Sequence, residues 1–337
     1  MTAAAVLDAS PKLSARPRTL SPLLALARGI GTIVAVLLFA SFGTFALGAI
    51  AGSSPGAVAL GSDATPAAIA AFDHNVGYDR PMIVRYVDWL TSALSGDLGT
   101  SWFSGIPVAK SLADRLPVSL SLAGLALLIA IVVGGAAGIL AGMRRRTIVD
   151  RAITVTSGAL STLPPFVAGI GLIVIFSVGL GALPSGGYVP ATAGFGTWLS
   201  FLILPAVALS LDAACEITRQ LRTGIVSAME ENYVTGAVVR GLTPRRIMFG
   251  HVLRNAAGPA LAVVGLHIPR LIGGAVVTEA VFALPGMGQL ARDSALQGDI
   301  PVVQGILLVV LGLVLVSNTV VNVLLERLRP HAARADS

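Results

Sequence analysis

The sequence predicts an all-α protein that crosses a lipid bilayer six times. Three observations carry this expectation. Of the 337 residues, 55% are hydrophobic and only 12% are charged, with a mean hydropathy of +0.84; soluble domains carry about 25% charged residues. Charge-free runs recur, the longest extending over residues 152–211. Arginines gather at the ends of these runs, so the net charge of +6 reads as membrane orientation and not as affinity for nucleic acid. Aromatics make up 5% of the chain, as in helical bundles where small residues let backbones approach.

A helix needs about 20 apolar residues to cross a hydrocarbon core about 30 Å thick. Residues 1–27 have no apolar period and read as a disordered tail. "IGTIVAVLLFASFGTFALGAIA" supplies a first span at 30–51. Its closing Ala-Ile-Ala resembles a signal-peptidase site, but the run exceeds the usual 7–15 residues of a signal core, which favours a retained span. A long polar segment, 52–117, precedes "VSLSLAGLALLIAIVVGGAAGILAG" at 118–142. The charge-free run is divided by "GALPSGGYVPATAGFG" at 181–196 into spans at 156–180 and 197–217. A fifth span is expected at 257–283 and a sixth at 302–325, with a short tail at 329–337. Pro164, Pro165 and Pro205 fall inside spans; they read as kinks whose freed carbonyls neighbouring backbone must satisfy.

Positive charge is retained on the cytoplasmic side of a membrane. The N-terminal tail, the 143–151 loop, the 218–256 loop and the C-terminal tail hold seventeen of the 23 basic residues, and the opposite loops hold five. Both termini are therefore expected in the cytoplasm. The only cysteine is Cys215 and the four histidines have no ligand spacing, so neither a disulfide framework nor a metal site is expected. A phosphate loop needs Gly-x-x-x-x-Gly-Lys-Ser/Thr. "GIPVAKS" around Lys110 has Ala109 in place of the second glycine, so no ATP site or other cofactor is expected on this chain.

The most organised polar stretch is "ENYVTGAVVRGLTPRRIMFGHVLRNA", residues 231–256, inside the 218–256 loop. Its first half places Tyr233, Val234, Ala237 and Val238 on one helix face. Gly241 follows where a helix end favours a left-handed residue. Thr243-Pro244 reads as a capping hydroxyl and a first helical position. The second half carries Ile247, Met248, His251 and Val252 as an apolar stripe, with Arg245, Arg246 and Arg254 near its ends. Such a unit suits an amphipathic hairpin against anionic lipid or a docking element for a cytoplasmic partner.

The residues of this loop resemble the coupling motif of ABC-transporter permeases, in the version found in the dipeptide/oligopeptide/nickel family. Tyr233-Val234, Gly241 and His251-Val252-Leu253-Arg254-Asn255-Ala256 carry the likeness. It continues in "GYDRPMIVRYVDWLTSALSGDLGTSW", "PVAKSLADRLPVSLSLA", "LPPFVAGIGLI" and "VVTEAVFALPGMGQLARDSALQGDIPVVQG", in order over about 77–328. Departures are Thr235-Gly236-Ala237 at the usual Glu-Ala-Ala positions and a missing Gly-Asp-Pro after the first span.

The resemblance implies a type I ABC importer permease fold with a cytoplasmic coupling-helix loop. It also implies a second, homologous permease subunit, two cytoplasmic ABC ATPase subunits that use ATP and magnesium, and an extracytoplasmic substrate-binding protein. Import of di- or oligopeptides is expected, with nickel as the alternative cargo. Coupling is expected of Arg222, Tyr233, Val234, Ala237, Gly241, Arg245, Arg246, His251, Leu253, Arg254 and Asn255. The face of 233–238 would fill an ATPase cleft, with Arg222 and the other arginines along its rim; Arg222 matches a family arginine, and snorkelling to headgroups is its plainer reading. In the translocation pathway the candidates are Arg270, Glu279 and Pro164, because intramembrane charge is costly and marks function. Arg270 and Glu279 are nine residues apart and fall on opposite helix faces. Glu279 reads as a gate or a water-exposed cap. Asp212, Glu216 and Arg219, at one-turn spacing, read as a surface ion pair. An intramembrane protease lacks a second aspartate or a serine partner for His267, and a stand-alone channel would form a homo-oligomer.

Overall fold

The computed structural model describes residues 22–50, 54–61 and 63–328. Among them there is no strand, only an isolated bridge between Thr100 and Pro107. Two compact units divide after Ala40; the second, beginning at Ser41, holds the helical bundle. Of the expected N-terminal tail, residues 1–21 lie outside the described residues, as does the tail at 329–337. The tail ends earlier than expected, because helix α1 (Pro22–Ile50) starts at a proline suited to a first turn and runs through leucines and alanines of high helix propensity.

Three short helices follow: α2 (Pro55–Leu60), α3 (Pro66–Asn75) and α4 (Met82–Leu94). Ser54 and Thr65 cap the first two through their hydroxyls, each ahead of a proline. α4 is amphipathic and buries Tyr86, whose hydroxyl bonds Ser41 at 2.9 Å and whose ring meets Phe42 and Phe45 edge-on. On this side His74 and Asp79 pair at 2.9 Å, which holds the Asp79 carboxyl below the usual carboxylate range.

Among the described residues five helices are long and apolar enough to cross a membrane, and there are six crossings if a bent pair counts as one. The second is α5 (Val108–Met143), which begins ten residues before the apolar run predicted it. The expected single span at 156–180 is replaced by two helices, α6 (Ile148–Leu160) and α7 (Pro165–Gly179), bent by 105°. Pro164 is driven to an extended ψ of 141° by the proline after it, and Pro165 opens the next helix without an amide to leave unpaired. α8 (Phe195–Met229) and α10 (Pro244–Val281) both outrun their apolar stretches, with α9 (Asn232–Val239) between them. α11 (Met287–Gln297) and α12 (Ile300–Leu328) complete the order.

α8 is the centre of the bundle. Its Leu202, Leu204, Ala206 and Leu209 pack against Val118, Leu122 and Ala126 of α5 and Leu271 and Ala275 of α10. α5 lies parallel to it through Gly134, Gly138 and Gly142, spaced so that one face repeats. A Cβ on Gly134 would stand 2.5 Å from the Ala214 carbonyl oxygen, and one on Gly138 would stand 2.9 Å from that of Thr218. The Thr218 hydroxyl is shared between the carbonyls of Ala214 (2.8 Å) and Gly134 (3.1 Å). α10 runs antiparallel to α8, with Gly274 against Leu209 near one end and Gly224 against Ala256 near the other.

Candidate functional site: the 231–256 helix pair and the polar groups of the spans

At the 143–151 end of the bundle the chain folds as helix, glycine turn, helix. α9 closes on Gly241, whose φ of +74° is left-handed. The Gly241 amide donates to the Val238 carbonyl (2.9 Å) and the Leu242 amide to that of Ala237 (3.2 Å), a Schellman closure. Pro244 opens α10 as expected, but the Thr243 hydroxyl makes no capping bond. Thr243 is exposed, and only its carbonyl is engaged, by the Ile247 amide at 3.0 Å.

The apolar face expected over Tyr233, Val234, Ala237 and Val238 is divided. Val234 and Ala237 are buried against Leu221, Ile225, Met248, Val252 and Ala256 of their own chain. Tyr233, Val238 and Val239 remain exposed, with Val239 at 82%. At 3.6 residues per turn the four span an arc of about 140°, and only the two at its centre reach the bundle and fix the helix to it. Gly236 faces outward, with nothing within 4 Å of where a Cβ would sit.

The stripe on the second helix continues as Met248, Val252, Ala256 and Ala260, all buried. Four-residue steps overshoot a 3.6-residue turn, and a wide π turn at Met248–Val252 absorbs part of the drift. His251 and Leu253 are half-buried, whereas Arg245, Arg246, Arg254 and Asn255 are exposed. The Asn255 amide donates to the His251 carbonyl at 3.1 Å. Beside them a cleft of about 410 Å³ opens between α8 and α10, lined by Thr223, Ser227, Glu231, Tyr233, Asn255 and Pro259.

Arg222 is paired within the chain. Its guanidinium grips Asp150 of α6 through two bonds, Nε to Oδ1 at 2.5 Å and Nη2 to Oδ2 at 2.8 Å. Asp150 also accepts the Arg146 amide at 2.9 Å and is 4% exposed. A forked guanidinium on a carboxylate is among the stronger polar contacts, and it ties the far end of α8 to the start of α6. Neither snorkelling nor a free rim position describes this side chain.

Glu279 was expected to gate or to cap in water, and it is fully buried. Its Oε1 accepts the Ser119 hydroxyl at 2.6 Å and its Oε2 the Gln289 amide at 3.0 Å; Ser119 in turn accepts the Met287 amide at 2.8 Å. The carboxylate thus satisfies the open amides at the start of α11. Gly286 and Gly288 leave the room it needs. Arg270 lies exposed on α10, on the side away from Glu279, with no hydrogen-bond or ion-pair partner among the described residues. Pro164 caps the start of α7 and is exposed.

One contact has no counterpart in the sequence reading. His267 of α10, 2% exposed, meets Glu216 of α8 at 3.1 Å, Nε2 to Oε2. Arg219 adds its Nη2 at 3.6 Å from the other oxygen, so the expected ion pair exists within a larger cluster between helices. The available signal was three polar residues at one-turn spacing in one span and a lone histidine in the next.

Residues 134–334 match the family model described as binding-protein-dependent transport system inner membrane component, and residues 23–123 match the model of its N-terminal part. The chain is 34% identical over 304 residues to a probable peptide ABC transporter permease protein, y4tP, of Sinorhizobium fredii, covering 90% of this chain and 97% of that one. It is 32% identical to the di/tripeptide transport system permease protein DppB of Pseudomonas aeruginosa, over 91% of this chain and 97% of the relative. Among solved structures, the inward-facing methionine ABC transporter MetNI has a chain with the same fold, at a TM-score of 0.53 and 17% identity, covering 65% of this chain and 96% of that one.

Proposed function

Because the chain belongs to the family of binding-protein-dependent transport system inner membrane components, we propose that it is a membrane-spanning permease subunit of an ATP-driven importer of di- or oligopeptides. It forms half of the translocation pathway. A second, homologous permease supplies the other half, two cytoplasmic ATPases bind below, and an extracytoplasmic protein delivers the peptide. ATP and magnesium act in the ATPases, and this chain holds no cofactor. Both termini, the 143–151 loop and the 231–256 helix pair face the cytoplasm, following the basic residues.

The observation that carries this reading is the build of the helix pair. Val234, Ala237, Met248 and Val252 fasten it to α8 and α10, while Tyr233, Val238, Val239, Arg245 and Arg246 are left outward. An ATPase cleft that takes the outward residues moves α8 and α10 with them. Arg222 contributes by locking α8 to α6, so that the third crossing follows as well.

Uptake of labelled di-, tri- and pentapeptides, with nickel alongside, tests this in cells lacking the gene and cells with it restored. Peptide uptake lost and regained is the expected result. A nickel defect alone changes the cargo, and no defect of either kind removes the reading. Gly241→Val is expected to abolish uptake while the chain still inserts, because a β-branched residue resists a φ of +74°. Normal transport by that variant would deny the turn a part in coupling.

A further inference from the structure

α8 is the most enclosed of the crossings, yet between Leu211 and Ala228 what it shows to the outside is polar. Between Leu211 and Ala228 only Asp212, Arg219, Thr223 and Ser227 are exposed, and their spacing puts them on one helix face. That stripe leads into the cleft beside Tyr233 and Asn255. Depth along the bundle follows from two contacts. Glu216 meets His267, and Leu209 lies against Gly274, so α8 and α10 run past each other in a fixed antiparallel register. Arg270, three residues beyond His267, is therefore level with Asp212. The level lies at the middle of α8 and about three turns from the end of α10.

Glu216 is committed to His267 and Arg219. Asp212 and Arg270 have no hydrogen-bond or ion-pair partner among the described residues. An unpaired charge at mid-span is too costly against lipid; Thr and Ser also join membrane helices, but this stripe carries Asp212 and Arg219 beside them. We infer that the α8 stripe is this subunit's wetted wall of the pathway. Asp212 and Arg270 form a station on it for a zwitterionic peptide, with the ammonium at Asp212 and the carboxylate at Arg270. The station rests on the proposed peptide cargo; the wetted wall does not.

In the reconstituted complex with its binding protein, Arg270→Gln and Asp212→Asn are each expected to lower uptake at saturating peptide by about tenfold, the loss of one charge-assisted hydrogen bond. ATP hydrolysis stimulated by the loaded binding protein should persist, and Arg270→Lys should restore most uptake. Unchanged uptake in both variants overturns the station, and so does loss of the second permease from Arg270→Gln preparations, which would make Arg270 a brace between subunits. Independently of folding in those variants, Thr223→Cys and Ser227→Cys in a Cys215→Ala background should react with a charged, membrane-impermeant thiol reagent, and Leu128→Cys and Val132→Cys should not. Unreactive stripe cysteines overturn the wetted wall. If the unaltered transporter carries nickel and no peptide, station and proposed cargo fall together; if it carries peptide while the two charge variants are silent, only the station falls.

Discussion

α5 and α8 are parallel neighbours of nearly equal length, 36 and 35 residues, and their outer surfaces are opposites. Beyond first turns that expose Lys110 and Asp114, α5 exposes Leu120, Leu128, Ile131, Val132, Val133 and Leu140. Over the half of α8 that contains the charged residues, the exposed side chains are Asp212, Arg219, Thr223 and Ser227. Their shared seam is as tight as backbones allow, with glycine against carbonyl at successive turns. A crossing helix is thus defined by two neighbours. The seam dictates small residues on one side, and whatever solvent lies beyond dictates the other.

The largest effect that separates the two faces is a charge placed on each. Leu128→Arg is expected to cost about 3 kcal/mol of insertion, the scale for arginine at a helix centre, and to deplete the alkali-washed membrane fraction. Thr223→Arg should leave that amount unchanged; equal depletion would mean that the stripe also faces lipid. The seam gives a smaller contrast. Gly134→Ala pushes a methyl against the Ala214 carbonyl and should destabilise the detergent-solubilised chain by about 1–3 kcal/mol, read as a lower Tm. Gly135→Ala, one residue along and with nothing within 4 Å, should not lower it. The smallest effect is Thr218→Val, which removes the hydroxyl shared by both helices and should cost about 1 kcal/mol.

The order of the long apolar helices was legible in the sequence because apolar runs report where lipid must be met. Their lengths were not. Apolar runs miss the turns of α5, α8 and α10 that are covered by protein or water, such as Lys110–Leu116, Thr218–Met229 and Pro244–Ala256. The bend before α7 hid inside a charge-free run, although Pro164-Pro165 was its chemical cause. In the helix pair, Gly241 and Pro244 announced their conformations, since each permits few others. Arg222 and Glu279 were misplaced for a common reason. Asp150 is 72 positions from Arg222, and the partners of Glu279 include backbone amides, which every residue but proline possesses. The His267–Glu216 contact spans 51 positions and required the antiparallel register of two helices.

The glycine seam also bears on what limits the speed of such a machine. Backbones in contact at Gly134 and Gly138, with the Ile225 side chain against Gly142, leave no slack between α5 and α8, a seam suited to moving as one slab. Any rotation that carries the Thr223–Ser227 side then carries the apolar Leu128–Val132 side as well. If that side meets lipid and the pair rotates in transport, as proposed, membrane viscosity and thickness would brake the motion, and the host's fatty acids would help to set its rate.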